Sequence, residues 1–358
     1  MWIVPFFESI LKISTKLINW YQHHKRDLPW RKTNDPYKIW LSEVMLQQTR
    51  VQQGLPYYLK FCEAYPSIHD LAKADEQEVL SMWQGLGYYS RARNMHATAQ
   101  HISENLDGVF PTEHKDIKAL KGVGEYTAAA IASFAYGSPY PVIDGNVYRV
   151  VSRLFNICLP INKPSGQKEI KIAVDSIFDK RHAGEWNQAI MEFGSLQCTP
   201  KSPNCEICVL EQNCLAFAKN TIKEIPYKEG KTKVKEVDFT YLVFLYEDKT
   251  YIEKRSEGIW QNLHQHPLIE KKLNPEQALE ACNNLLLNDI EFKIIDSFNT
   301  THLLSHRKIQ AVFYTISLKA NPLFSKSNIF EIQKEQLGKF YPTSVLTLKY
   351  LNQQQRGV

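Results

Sequence analysis

Two textures of hydrophobic patterning divide the chain. From Asp35 to Phe217 apolar residues recur at helical spacing, broken by Gly and Pro, and no segment alternates as a half-buried strand would. Residues 1–220 are therefore predicted to be all-α. Residues 221–236 are rich in Lys and Glu, poor in large apolar side chains and without periodicity, which predicts an exposed linker. Beyond it the texture changes to β-rich runs: FTYLVFLYEDKTYIEKR reads as two strands around a turn at Glu247-Asp248, NPEQALEACNNLL as a helix, and EFKIIDSFNT and KIQAVFYTISLK as two further strands. Residues 237–358 are predicted to form a small α+β domain.

Length agrees with this division, since 358 residues suggest two domains at ~150 residues each. An apolar fraction of 44% supports folded cores, and a net charge of +5 permits a polyanionic partner without demanding one. No apolar run approaches the ~20 residues of a membrane span. MWIVPFF at the N-terminus lacks a basic n-region and a long h-region, so a soluble intracellular chain is expected.

Four of the seven cysteines fall together. Cys198, Cys205, Cys208 and Cys214 form C-x6-C-x2-C-x5-C, and an intracellular chain keeps thiols reduced, so metal ligation is favoured over disulfides. Four thiolates suit either a tetrahedral zinc or a four-iron cluster. Zinc ribbons usually repeat C-x2-C in two pairs. The single pair with longer arms here favours iron–sulfur, and Lys201 and Lys219 place positive charge beside the loop.

Two carboxylates stand out by their surroundings. Asn34-Asp35-Pro36 starts a helix that continues through IWLSEVMLQQTRV, where Glu43 shares a face with Ile39, Trp40, Leu46 and Gln47. Burial there would raise its pKa and let it hold a proton near neutrality. Asp144 precedes Gly145 and an amphipathic run marked by Val147, Val150, Val151, Leu154 and Phe155, which is the setting of an N-cap. Backbone N–H donors would keep Asp144 ionised, so the pair divides into an acid and a charge stabiliser, as in glycosidic bond cleavage. Taken singly, a surface glutamate and a structural cap stay open.

In order along the chain, LPWR (28–31), SEVMLQQTRV (42–51), GLGYYSRAR (85–93), LKGVGEYTAAAI (120–131), VIDGNVYRV (142–150) and the four-cysteine loop resemble the helix-hairpin-helix DNA glycosylases that carry an iron–sulfur cluster, and among them the MutY-type adenine DNA glycosylases. The resemblance covers nearly the whole chain. It implies a [4Fe-4S] cofactor and removal of adenine opposite 8-oxoguanine or guanine in duplex DNA, without strand cutting, by a monomer acting in the bacterial cytoplasm at the nucleoid. The adenine would be flipped into a pocket, because its glycosidic bond is out of reach inside the duplex.

The resemblance also assigns roles. Glu43 protonates adenine and then helps position water; Asp144 stabilises the cationic sugar with support from Asn146. Trp30 and Arg31, with Arg26 and Gln188, match the pocket that encloses the base. Gln48 and Tyr88 match residues that push into the duplex, and Thr49 and Leu86 match contacts to the oxidised guanine, Leu86 being a wedge candidate between two glycines. Gly122 and Gly124 would let N–H groups at a helix start approach a DNA phosphate. The C-terminal domain resembles a Nudix-like lesion reader, but lacks the R-E-x-x-E-E series that holds magnesium, so pyrophosphohydrolase activity is not expected. In HLLSHRK (302–308), Ser305 and His306 match lesion-recognising residues, whereas Leu304 stands where many members carry phenylalanine. Lys121 replaces a common proline, and Gln188 replaces a glutamate found in some members.

One alternative is a bifunctional glycosylase/lyase like endonuclease III, which shares the fold, the aspartate and the cluster. That family places a lysine at the position of Tyr126, and a Schiff base requires its amine. The other alternative is a non-catalytic iron–sulfur protein that binds DNA lesions, against which Glu43 and Asp144 together argue.

Overall fold

The computed structural model describes residues 3–230 and 234–356, with side chains described from Lys12 to Gln355. The side chains of MWIVPFF therefore lie outside the described residues, as does the linker segment 231–233. Helices occupy the first part of the chain: α1 (Ile3–His24), α2 (Pro36–Leu46), α3 (Val51–Ala64), α4 (Ile68–Lys73), α5 (Glu76–Met82), α6 (Ser90–Asn105), α7 (His114–Ala119), α8 (Glu125–Tyr136), α9 (Gly145–Leu154), α10 (Pro164–Ile177), α11 (Ala183–Leu196) and α12 (Leu215–Ala218). Then follow β1 (Lys235–Tyr246), β2 (Lys249–Lys254), β3 (His264–Gln265), β4 (Leu268–Ile269), α13 (Pro275–Leu285), β5 (Phe292–Leu303), β6 (Arg307–Leu318), β7 (Ile329–Gln333) and α14 (Val345–Arg356). Among the described residues no helix is long and apolar enough to cross a membrane.

The compact units are not the two sides of the linker. One comprises Met1–Val51 with His101–Lys231, the other Gln52–Gln100 with Thr232–Val358. Hydrogen bonds explain why residues 52–100 belong with the sheet: Arg93 Nη1 donates to Gln261 O (2.8 Å), Gln84 Nε2 to Gly338 O (2.8 Å), and Asn262 Nδ2 to Glu76 Oε1 (2.6 Å). Helical periodicity cannot show this, because both units contain helices of the same kind. The linker is also shorter than its composition suggests. Ile225 is buried, its carbonyl accepts from Arg153 Nε (2.9 Å), and Tyr227 O accepts from Ile161 N (3.0 Å), while Lys235 and Glu236 already lie in β1.

In the first unit, α1, α9, α10 and α11 pack around Leu17, Val147, Val151, Ile170, Trp186 and Phe193, side chains at i, i+3, i+4 and i+7 spacings that give each helix one apolar face. In the second, the sheet runs β3-β2-β1-β6-β5, with β4 on β1 and β7 on β2; β1 and β6 are parallel and the other pairs antiparallel. Strand β1 is buried on both faces. Leu242 and Phe244 meet Ala278, Cys282 and Leu285 of α13, while Tyr241 and Val243 join the core that includes Leu346 and Tyr350 of α14. On the α14 side the rings of Tyr241, Phe313 and Tyr350 stack in series, with centroids 4.4 and 4.7 Å apart.

Candidate active site

Five structural elements of the first unit converge on one pocket of about 180 Å³. Trp30 and Arg31 reach it from a single 3₁₀ turn, Pro29–Arg31; Glu43 comes from α2, Tyr126 from the first turn of α8, Asp144 and Asn146 from the start of α9, and Gln188 and Glu192 from α11. Asp35 fixes where α2 begins, its Oδ1 accepting from Tyr37 N (2.9 Å) with Pro36 at the first helical position. That start places Glu43 eight residues into the helix with its carboxylate buried, as the apolar neighbours predict.

Burial pushes the Glu43 carboxyl up to about 7; the Tyr126 hydroxyl opposes this by donating a hydrogen bond to it, nearby Asp144 raises it further, and Arg31 lowers it. Loss of solvation, together with Glu43 and Asp144, holds the Tyr126 phenol well above its ordinary value, so it remains a donor. Asp144 caps α9 as predicted: Oδ1 accepts from Asn146 N (2.8 Å) and Val147 N (2.8 Å), and Oδ2 from Asn146 Nδ2 (2.7 Å). Its pKa, however, moves up and not down. Burial pushes the carboxyl above the ordinary aspartate value, and the donors from Val147 and Asn146 offset only part of that. The sequence reading counted the cap donors and missed the apolar surroundings of the cap.

The opposite wall is basic and internally paired. Glu192, buried on α11, accepts from Arg26 N and Nε (2.9 Å each) and Nη2 (2.5 Å), and from Arg31 Nη1 (2.9 Å) and Nη2 (2.8 Å). Burial alone would raise its carboxyl, but the hydrogen bonds from Arg31 and Arg26 outweigh it and hold the group at about 2. Sequence reasoning found both arginines and missed Glu192. The available signal was a lone acid in the apolar helical run AIMEF, four residues and so one turn from Gln188. Tyr21, also missed, donates its hydroxyl to Gln188 Oε1 (2.5 Å), and the Arg31 guanidinium lies 5.5 Å from its ring centroid.

Close packing of α11 on the α9 cap depends on Gly194, where an added Cβ would lie 2.6 Å from Asn146 Cβ. Beneath the cap, Arg149 Nη2 donates to Asn146 Oδ1 (2.9 Å) and Gly194 O (2.5 Å), and its Nε to Cys198 O (2.7 Å). One turn on, Arg153 Nη1 donates to Thr199 O (2.8 Å) and reaches Cys198 Sγ (3.4 Å). Cys198, Cys205, Cys208 and Cys214 all line one apolar cavity together with Arg153. Burial, reinforced by the neighbouring thiols, pushes Cys208 up to about 11. Among the described residues, no group of three or more His, Cys, Asp or Glu side chains is already arranged as the ligand set of a metal ion.

The remaining expected positions divide. Thr49 lines the pocket, and Gln48 is exposed with φ +59°. Leu86 is 4% exposed, so it is a core residue and not a presented wedge; flanking glycines gave no sign of that. Tyr88, at φ +50° and 47% exposed, is the side chain that this loop presents. In the α7–α8 hairpin only Gly122 is left-handed (φ +79°). Gly124 is extended and caps α8, and a Cβ there would meet nothing within 4 Å, so the fold itself does not require that glycine. In the second unit Ser305 and His306 are exposed at a hairpin tip, with Ser305 Oγ 3.1 Å from His306 Nδ1.

Residues 41–169 match the HhH-GPD superfamily of base excision DNA repair proteins. The chain is 33% identical over 321 residues to the adenine DNA glycosylase of Buchnera aphidicola subsp. Schizaphis graminum, covering 89% of this chain and 91% of that one. It is 40% identical over 209 residues to the adenine DNA glycosylase of Homo sapiens, covering 56% of this chain and 38% of the human one. Among solved structures, a thermostable thymine-DNA glycosylase superposes with a TM-score of 0.54 at 27% identity, over 59% of this chain and 98% of that one.

Proposed function

The chain belongs to the adenine DNA glycosylase family and removes adenine from DNA in base excision repair, and from that premise we propose how its residues divide the work on an adenine paired with 8-oxoguanine or guanine in duplex DNA. The observation that carries the proposal is a buried Glu43, held at about 7, in the same pocket as Asp144. A carboxyl so placed can act on a base only after that base has left the helical stack. Trp30, Arg31, Arg26 and Gln188 enclose it.

Glu43 then gives its proton to N7 of the adenine as the bond from N9 to C1′ of the sugar breaks, so the base departs neutral. Asp144, held by Asn146 and the α9 N–H groups, faces the positive charge that develops on the sugar. The Glu43 carboxylate next takes a proton from the water that bonds to C1′, which restores the acid. Tyr126 keeps Glu43 in place and offers no amine, so hydrolysis completes the cycle without a Schiff base or efficient strand cleavage. In a single-turnover assay on A opposite 8-oxoguanine, A opposite guanine and oxidised-pyrimidine duplexes, with and without alkali, strand scission should follow alkali on the adenine duplexes alone. Borohydride trapping with cleavage at oxidised pyrimidines would instead support the lyase alternative.

Cys198, Cys205, Cys208 and Cys214 would hold a [4Fe-4S] cluster. Support comes from four thiols lining one cavity and from the Arg153 guanidinium against Cys198, a cation suited to thiolate ligands. When bound, such a cluster ties the four thiolates into a fixed loop. Purified protein should contain about four irons per chain with visible charge-transfer absorption; stoichiometric zinc in a colourless protein would contradict this. The second unit is assigned a Nudix-like, lesion-reading role on the basis of its mixed sheet with a helical core on each face and the exposed Ser305-His306 tip.

A further inference from the structure

Two adjacent leucines at the end of β5 have opposite surroundings. Because side chains alternate across a strand, Phe298 and Leu304 pack against the core that contains Leu346 and Tyr350, whereas Leu303 points the other way and is 70% exposed. Leu304 is thus already committed to the interior.

Leu303 pairs with Lys308 across the hairpin, and Leu304 N donates to Arg307 O (2.8 Å) to close the turn. The tip is held from a third strand: Lys235 N donates to His306 O (3.0 Å), and Lys308 pairs with Glu236 (2.9 Å). Around it stand Arg307, Lys308, Lys235 and Lys349, the last bonded to Thr301 O (3.1 Å), with His306 exposed beside them. Glu236 is the acid facing this group, and Lys308 already neutralises it. An exposed leucine on a fixed, cationic hairpin tip matches the chemistry by which proteins lay an apolar side chain against bases while cations meet phosphates.

We propose that Leu303 is the apolar contact of this hairpin with the base stack of duplex DNA beside the 8-oxoguanine. The inference rests on the lesion-reading role given to Ser305 and His306 and adds a residue that supplies affinity through buried apolar area. A fixed tip loses little conformational freedom on docking, so most of that area counts toward binding.

The full chain would be titrated with duplexes carrying 2′-fluoro-2′-deoxyadenosine, which resists base release, opposite 8-oxoguanine or guanine. Leu303→Ala should bind the 8-oxoguanine duplex about tenfold more weakly, with undamaged duplex changed by less than about twofold. Its melting temperature should match that of the parent, because the side chain is exposed, whereas Leu304→Ala should melt lower. A 2-aminopurine placed next to the 8-oxoguanine should brighten on binding the parent protein and stay dim with Leu303→Ala. If Leu303→Ala binds as the parent does while Ser305→Ala/His306→Ala binds weakly, the Leu303 contact is overturned and the lesion-reading hairpin stands. If neither variant weakens binding, both fall, and an equal loss on undamaged duplex would make Leu303 a general DNA contact, contrary to the proposal.

Discussion

The acidic and basic walls of the pocket each bury one glutamate, and the two are tuned in opposite directions. Glu192 meets two guanidinium groups through five hydrogen bonds and is held at about 2. Glu43 has a phenol as its hydrogen-bond donor, a second carboxylate nearby, and stands at about 7. Burial is common to both, so the partner decides the charge state. Glu192 is a permanent anion that keeps two cations from facing a reaction in which positive charge develops, whereas Glu43 can carry a proton in and out.

Exchanging each carboxylate for its amide separates the two roles. Glu43→Gln should slow single-turnover adenine release by about 10²–10⁴-fold, with DNA binding retained, as read by rapid quench and by titration. Glu192→Gln should act first on stability. It removes the counter-charge of Arg31 and of the third-exposed Arg26, and should cost about 3 kcal/mol, the low end for breaking a buried pair, measured by urea unfolding.

Stability against pH should move in opposite senses for the two groups. The pKa of Glu192 is depressed on folding, so its contribution is present above about 4.5 and is lost as pH falls toward 2. The pKa of Glu43 is raised, so folding holds its proton more tightly and stability declines as pH rises from 4.5 to about 7. Glu43→Gln should therefore stabilise the protein at pH 8, on the order of 3 kcal/mol, with little gain at pH 4; a loss at pH 8 would show that the buried anion is better compensated than its surroundings indicate. Tyr126→Phe removes a hydrogen bond that lowers the Glu43 pKa and should shift the alkaline limb of the rate profile upward. Gly194→Ala should have the smallest effect, costing about 1–2 kcal/mol by crowding Asn146, seen as a lower melting temperature with Asp144 displaced.

What the sequence conveyed follows the range of each interaction. The burial of Glu43 was legible because the residues around it, Ile39, Trp40, Leu46 and Gln47, lie within one helical turn. The cap at Asp144 was legible too, since its donors are two and three residues away. Glu192 was not, because the arginines that define it are 161 and 166 residues distant. Leu86 was misjudged for the same reason: flanking glycines describe its backbone, and its burial depends on tertiary packing. At the β5–β6 tip the sequence marked Leu304 as the odd position, and strand parity points instead to Leu303 as the side chain that faces out.

The pH dependence of single-turnover adenine release from an A opposite 8-oxoguanine duplex tests the central claim most directly. A rate that falls tenfold per pH unit above about 7, with the limb moving upward in Tyr126→Phe and disappearing from the residual activity of Glu43→Gln, is the predicted result. A rate that stays flat through neutrality, with Glu43→Gln as active as the parent, would contradict it.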